Sequence, residues 1–377
     1  MSVSLTGPRT GTSALHVRRP RTVLVARLDN AGDVLLAGPA VRAVAAGCDR
    51  VVFLAGPHGA AAAELLPGVD EVLTWRCPWI DPAPEPVDAD DLAALTARLA
   101  ALDLVEALVV TSFHQSPLPL ALVLRTAGVP RVSAISVDYP GSLLDVRHRL
   151  PDDLPEPERA LSLARAAGFD LPDGDDGRLA VRRPLPASPY EPGSHVVLHP
   201  GASVPARAWP AHRCAEAVEA LADDGWQVLV TGGPGERELT AAVAGTRGTD
   251  LGGATTLAEM AGLLDGAAAV VVGNTGPAHL AAAVGTPVVS LFAPVVPAVR
   301  WAPYGVPTVL LGDQSAACRD SRARDCPVVG HPCLTSVTAA DVVTAVRTLA
   351  GDPPSSAFCT ESAALPVRRA GSWRSAT

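Results

Sequence analysis

Residues 270–304 read VVVGNTGPAHLAAAVGTPVVSLFAPVVPAVRWAPY, and the order of residue types there sets the fold class. Val270, Val271 and Val272 form a β-branched run suited to a buried strand, and Gly273-Asn274-Thr275-Gly276 is turn chemistry. Pro277 fits the first turn of a helix, where its missing N–H leaves no hydrogen bond unmade. Residues 278–284 favour helix, Gly285 supplies a stop, and residues 288–292 suit the next strand. The unit is strand, loop, helix, strand. Its loop offers unpaired backbone N–H groups and the positive end of a helix dipole, which suits a phosphate.

The same alternation extends through the chain and predicts parallel sheets. In the first half, strands are expected at 22–27, 51–55, 71–74, 107–111 and 131–134, with helices at 34–46, 91–102, 118–127 and near 156–168. In the second, strands at 196–199, 227–231, 270–272 and 288–292 alternate with helices at 211–223, 236–243, 257–264 and about 339–349. The Pro/Gly/Asp-rich stretch 171–194 marks a boundary. The expected organisation is an N-terminal extension (1–20), a first domain (21–185), a second (186–351) and a disordered Pro/Ser-rich tail (352–377). At 377 residues the chain exceeds what one core usually supports, in keeping with two domains.

Composition excludes several classes of function. A net charge of −9 argues against nucleic acid as a partner. All 30 basic residues are Arg, which removes Schiff-base chemistry and a phosphate-binding lysine loop. No apolar run reaches the ~18 residues of a membrane span, and residues 1–20 lack the apolar segment of a signal peptide. A cytoplasmic protein is expected, with at most peripheral membrane contact. Seven scattered cysteines suit reduced thiols, and the group Cys318, Cys326, His331 and Cys333 lacks the CxxC pairs of a zinc site. Residues 76–90 are expected as a surface loop in which Asp88-Ala89-Asp90 begins a helix instead of holding a metal. Two Rossmann-like domains also suit dinucleotide enzymes, but neither 28–33 nor Gly232-Gly233-Pro234-Gly235 supplies the G-x-G-x-x-G fingerprint.

Three ordered motifs carry a resemblance over roughly residues 21–350. They are VLVARLDNAGDVLLAGPAVRAV (23–44), VVLHPGASVPARAWPAHRCAEAVEAL (196–221) with VLVTGGPGERE (228–238), and NTGPAHLAAAVGTPVVSLF with RWAPY in the opening stretch. Together they resemble glycosyltransferase family 9, the ADP-heptose:lipopolysaccharide heptosyltransferases and their relatives. The resemblance implies an α/β chain of GT-B architecture, two Rossmann-like domains facing across a cleft, the first for the acceptor and the second for the donor. It further implies an inverting transfer from a nucleoside-diphosphate sugar, ADP-heptose-like, to a hydroxyl of a lipopolysaccharide core or other glycan or glycolipid acceptor. A non-catalytic sugar-nucleotide-binding module and a GT-B sugar-nucleotide epimerase are the alternatives.

Asp33 lies where the first βα loop enters its helix, at the sheet edge on which α/β proteins place their chemistry. A carboxylate there can take the acceptor's proton, the role the family assigns to the aspartate of this Gly-Asp motif; a first-turn helix acid would look the same. Charge growing on the departing diphosphate would be met by the helix start at Thr275, Gly276 and Pro277, by the Ser203 hydroxyl and by Arg207. Arg207 stands where the heptosyltransferases have a lysine, and it presents a planar fork in place of a point charge. Asn274 stands where well-known members carry an aspartate that contacts the donor sugar, so charge is lost but hydrogen-bonding capacity is kept. His279, one turn into the helix, can reach phosphate or sugar, or simply pack. Glu236 and Glu238 can reach a nucleoside ribose or stand as exposed first-turn acids, and are read as the latter. Neither a cofactor nor a metal is expected.

Overall fold

The computed structural model describes residues 21–150 and 153–354. The expected N-terminal extension, and the expected tail beyond residue 354, lie outside the described residues. The described residues contain two six-stranded sheets. The first contains β1 (Thr22–Arg27), β2 (Arg50–Ala55), β3 (Glu71–Thr74), β4 (Leu104–Val109), β5 (Val132–Ile135) and β6 (Val146–His148), in the order β3-β2-β1-β4-β5-β6. The second contains β7 (His195–His199), β8 (Gln227–Gly232), β9 (Thr249–Gly252), β10 (Ala269–Gly273), β11 (Val288–Leu291) and β12 (Thr308–Leu311), in the order β12-β11-β10-β7-β8-β9.

All ten strand pairings are parallel. Each sheet therefore runs outward in both directions from its first strand, the doubly wound order in which a crevice opens where the chain reverses direction. That switch lies between β1 and β4 in one lobe and between β7 and β10 in the other.

The central strands β1, β7 and β10 are buried along their whole length, as β-branched runs covered on both faces must be. Three strands were absent from the expected set: β6, β9 and β12. All three are edges with no fully buried residue, so their burial pattern is weak. The single helix expected at 34–46 is two helices, Ala31–Leu36 and Gly38–Ala46. Pro39, in the first turn of the second, has no N–H to continue the first helix's ladder.

One apolar cluster crosses from lobe to lobe, uniting Val34, Leu35 and Ala63 with Met260, Ala278 and Leu280. Within it the helix Ala31–Leu36 packs against the helix Gly276–Val284. Contact this close needs glycine at position 32. A Cβ on Gly32 would lie 3.1 Å from the Gly276 Cα and 2.9 Å from the His279 ring. No described helix is long and apolar enough to cross a membrane.

Candidate functional site

The loops that leave the two switch points meet in one cavity of about 340 Å³. The segment after β1 supplies Asp29, Gly32 and Asp33, and that after β4 supplies Ser112, Phe113, His114 and Gln115. From the second lobe come Ser203 and Arg207 after β7, and Asn274, Thr275, Gly276 and His279 after β10. Seven of the eight expected site residues line the cavity. Pro277 does not; it lies in the first turn of the helix Gly276–Val284, with Thr275 at the N-cap and Gly285, at φ 93°, ending the helix.

Asp33 is the third residue of its helix, and its side chain is 23% exposed. One of its oxygens, Oδ1, accepts a hydrogen bond of 2.9 Å from Arg27 Nη2. Arg27 is 1% exposed at the end of β1, and the same Nη2 donates to Ser112 Oγ at 2.8 Å. Its Nε is 2.7 Å from Asp29 Oδ2, and its Nη1 is 3.4 Å from Glu156 Oε2. Burial weakens the guanidinium's hold on its proton, but Asp29, Asp33 and Glu156 more than offset that and raise its pKa. Burial pushes the Asp29 carboxyl up against the pull of Arg27. Gln115 donates to Asp29 from across the cavity mouth.

The second lobe contributes polar atoms that the protein leaves unsatisfied. Arg207 Nε, Asn274 Nδ2 and His279 Nδ1 are buried without a hydrogen-bond partner among the described residues. Such atoms are rare in folded proteins and point to something that completes them. Burial first, and Arg207 second, push the His279 imidazole down to about 4, so it is neutral near pH 7. Burial also lowers the Arg207 pKa, opposed by Asp33 facing it from the other lobe.

Arg207 ends a short 3-10 turn, Pro205–Arg207, that the cysteine-rich segment holds in place. The Ala206 N–H donates to the Arg324 carbonyl at 3.0 Å, and the Ala206 carbonyl lies 3.1 Å from His331 Nε2. Cys318 and Cys333 are buried behind that turn, and burial, then Cys318, push the Cys333 thiol up to about 12. Among the described residues no group of three or more His, Cys, Asp or Glu is placed to hold a metal ion. Asp88 is an N-cap, accepting from the Asp90 and Asp91 N–H groups. The surface loop expected at 76–90 is partly buried, with Cys77 and Asp81 on the cavity wall. Glu236 is also not a simple exposed acid: it accepts from the Gly233 N–H at 2.7 Å and lies 3.9 Å from His199 Nε2. Glu238 is exposed.

Arg27, Phe113 and Arg322 were not singled out from the sequence. Phe113 stacks with Arg300 at 4.3 Å and Arg322 at 5.1 Å, and its ring lies 5.4 Å from Trp301, so one first-lobe aromatic gathers three second-lobe side chains. Arg322 reaches the cavity from a left-handed backbone position, φ 57°. A charged residue closing a β-branched run was the only sequence signal for Arg27; for Phe113 and Arg322 there was none.

Residues 118–329 match the family model described as Glycosyltransferase family 9 (heptosyltransferase). The chain is 30% identical over 165 residues to lipopolysaccharide heptosyltransferase 3 of Escherichia coli, an alignment covering 41% of this chain and 47% of that protein. The aligned part thus spans about half the length of that relative. Among solved structures, E. coli ADP-heptose lps heptosyltransferase II superposes with a TM-score of 0.67 at 20% identity, over 87% of this chain and 98% of that one. An E. coli heptosyltransferase with ADP-2-deoxy-2-fluoro heptose gives 0.66 at 18%, over 87% and 99%. At these identities the superpositions establish the GT-B fold.

Proposed function

The chain belongs to glycosyltransferase family 9, and from that premise we propose that it is an inverting glycosyltransferase. It moves a heptose-like sugar from a nucleoside-diphosphate donor to a hydroxyl of a lipopolysaccharide core or related glycan. The observation that carries this reading is the set of buried, unsatisfied atoms on Arg207, Asn274 and His279 around one helix start, across the cavity from a carboxylate. A diphosphate has the oxygens and the charge to complete that set. The names of the curated relative and of the solved neighbour holding an ADP-heptose analogue support the choice of donor and acceptor.

In the proposed reaction the acceptor oxygen attacks the anomeric carbon from the side of Asp33. The bond from that carbon to the phosphate oxygen breaks, Asp33 takes the hydroxyl proton, and the nucleoside diphosphate leaves. One displacement inverts the configuration. Negative charge grows on the leaving oxygens where Arg207 and the N–H groups of the helix start are fixed in advance, so little reorganisation is needed. The charge is met by these groups of the chain, without a metal.

The test is calorimetric titration with ADP, UDP and GDP, followed by incubation with ADP-heptose and a heptose-deficient core acceptor. One nucleotide should bind, and transfer should give product of inverted anomeric configuration. Binding without transfer to any acceptor hydroxyl would favour a binding module, and altered donor sugar formed without acceptor an epimerase. Failure of all three nucleotides to bind at millimolar concentration would end the proposal.

A further inference from the structure

We propose that Arg27 is a positioning residue for Asp33, acting without touching substrate; this rests on the reading of Asp33 as the base. Arg27 ends a strand whose other residues are Thr22, Val23, Leu24, Val25 and Ala26, and it does not line the cavity. A buried guanidinium adds little to stability, because desolvation cancels much of what its ion pairs return. An apolar residue would suit that strand end at least as well. What Arg supplies is geometry: a planar fork that engages three carboxylates from three segments at once.

Two of those segments form the first loop and its helix. The third is the helix Glu156–Ala167, and the second lobe holds its leading end. Arg300 pairs with Asp153 at 3.1 Å, and the Tyr304 hydroxyl donates to Glu158 Oε1 at 3.0 Å. A polar chain therefore runs from Arg300 and Tyr304, through the start of that helix and Glu156, to Arg27 and Asp33. It fixes the angle of the Asp33 carboxylate and ties that angle to the seating of the second lobe.

The experiment uses the full chain with Arg27→Met and Arg27→Lys and two readouts. The first is carboxylate 13C resonance with labelled aspartate, the Asp33 signal being assigned by its loss in Asp33→Asn. The second is the rate at which ADP-heptose releases ADP, with water as acceptor, beside the affinity for ADP. In Arg27→Met the Asp33 carboxylate resonance should move away from its wild-type position, because the hydrogen bond from Arg27 Nη2 is lost. The value of kcat should fall about 100-fold, while ADP affinity stays within about two-fold of wild type because Arg27 lies outside the cavity.

Met removes the guanidinium beside Asp29 and leaves Glu156 with Arg159 alone, at 3.8 Å, so Arg27→Lys decides the matter if the Met variant does not fold. Lysine should return the Asp33 resonance towards its wild-type position yet recover only part of the rate, since one ammonium cannot reach three carboxylates. An unmoved Asp33 resonance in Arg27→Met, or an Arg27→Lys enzyme identical to wild type, would overturn the proposal. If the resonance moves as expected but wild type turns over no ADP-heptose, the positioning role stands and the glycosyl-transfer reading is what fails.

Discussion

Replacing Gly32 by alanine adds one methyl at the point where the lobes touch most closely. The new carbon would sit 2.9 Å from the His279 ring and 3.1 Å from the Gly276 Cα, whereas carbon pairs rest at about 3.5–4.0 Å. Neither neighbour yields easily: one is backbone, and the other is an imidazole only 4% exposed. The helices Ala31–Leu36 and Gly276–Val284 must therefore part by roughly 0.5–1 Å. Overpacking of this kind costs about 1–3 kcal/mol, while alanine in a helix returns about 1 kcal/mol over glycine. The net loss of stability should be no more than about 2 kcal/mol. Function should respond far more, because the displaced elements carry Asp33 on one side and the helix start on the other. A misplacement of about 1 Å can cost 100-fold in rate. The assay pairs calorimetric unfolding with transfer from ADP-heptose, using Gly38→Ala as control, where the added carbon meets its nearest neighbour, Leu66, at 3.4 Å. A Gly32→Ala enzyme with wild-type turnover would refute the idea that this contact sets the distance between base and donor.

Arg207→Ala should weaken ADP binding by about 10- to 100-fold, the worth of one charge-assisted contact, with Arg207→Lys restoring part of it; calorimetric affinities equal to wild type would count against the diphosphate assignment. Asp33→Asn should leave ADP affinity unchanged and lower kcat by about 10²- to 10⁴-fold, as read by product formation at saturating donor. His279 is held neutral in the fold at about 4 against an ordinary 6.5, so the unfolded chain takes its proton first. Its contribution is complete above about pH 6.5 and is lost as pH falls towards 4, at about 1.4 kcal/mol per pH unit. Denaturant unfolding of wild type and His279→Gln should show their stability difference shrinking over that range; a constant difference would contradict the assignment. Chelation with EDTA should leave transfer unchanged, measured against a metal-dependent transferase treated in parallel.

The central strands and most long helices were legible because burial on both faces imposes β-branched runs, and helix faces impose a 3.6-residue spacing. The edge strands β6, β9 and β12 carry no such constraint, so Val-Arg-His in β6 looks like loop. The Gly38-Pro39 break was legible in principle, yet the strong helical propensity on either side masked it. At the site, the cavity-lining residues on contiguous motifs were recoverable, since a loop between a strand and a helix start can be read from neighbouring residues alone. Phe113 and Arg322 meet across the lobes, and Arg27 joins the nearby Asp29 and Asp33 to Ser112 and Glu156, 85 and 129 residues away; such proximity exists only once the sheets are assembled. Glu236 shows the converse: its position suggested a solvated acid, but the turn at Gly233 gave it a backbone donor to cap.

Both sheets share one strand order, and the cavity forms where their two switch points confront each other. In the proposed reaction the chemistry is thereby divided between separable inheritances: the proposed proton acceptor belongs to one half of the chain and the proposed anion cradle to the other. Each half could vary its outer loops, and so its choice of sugar or of glycan, without disturbing its counterpart. What the two halves share is the seam, where Gly32 leaves no room for a side chain.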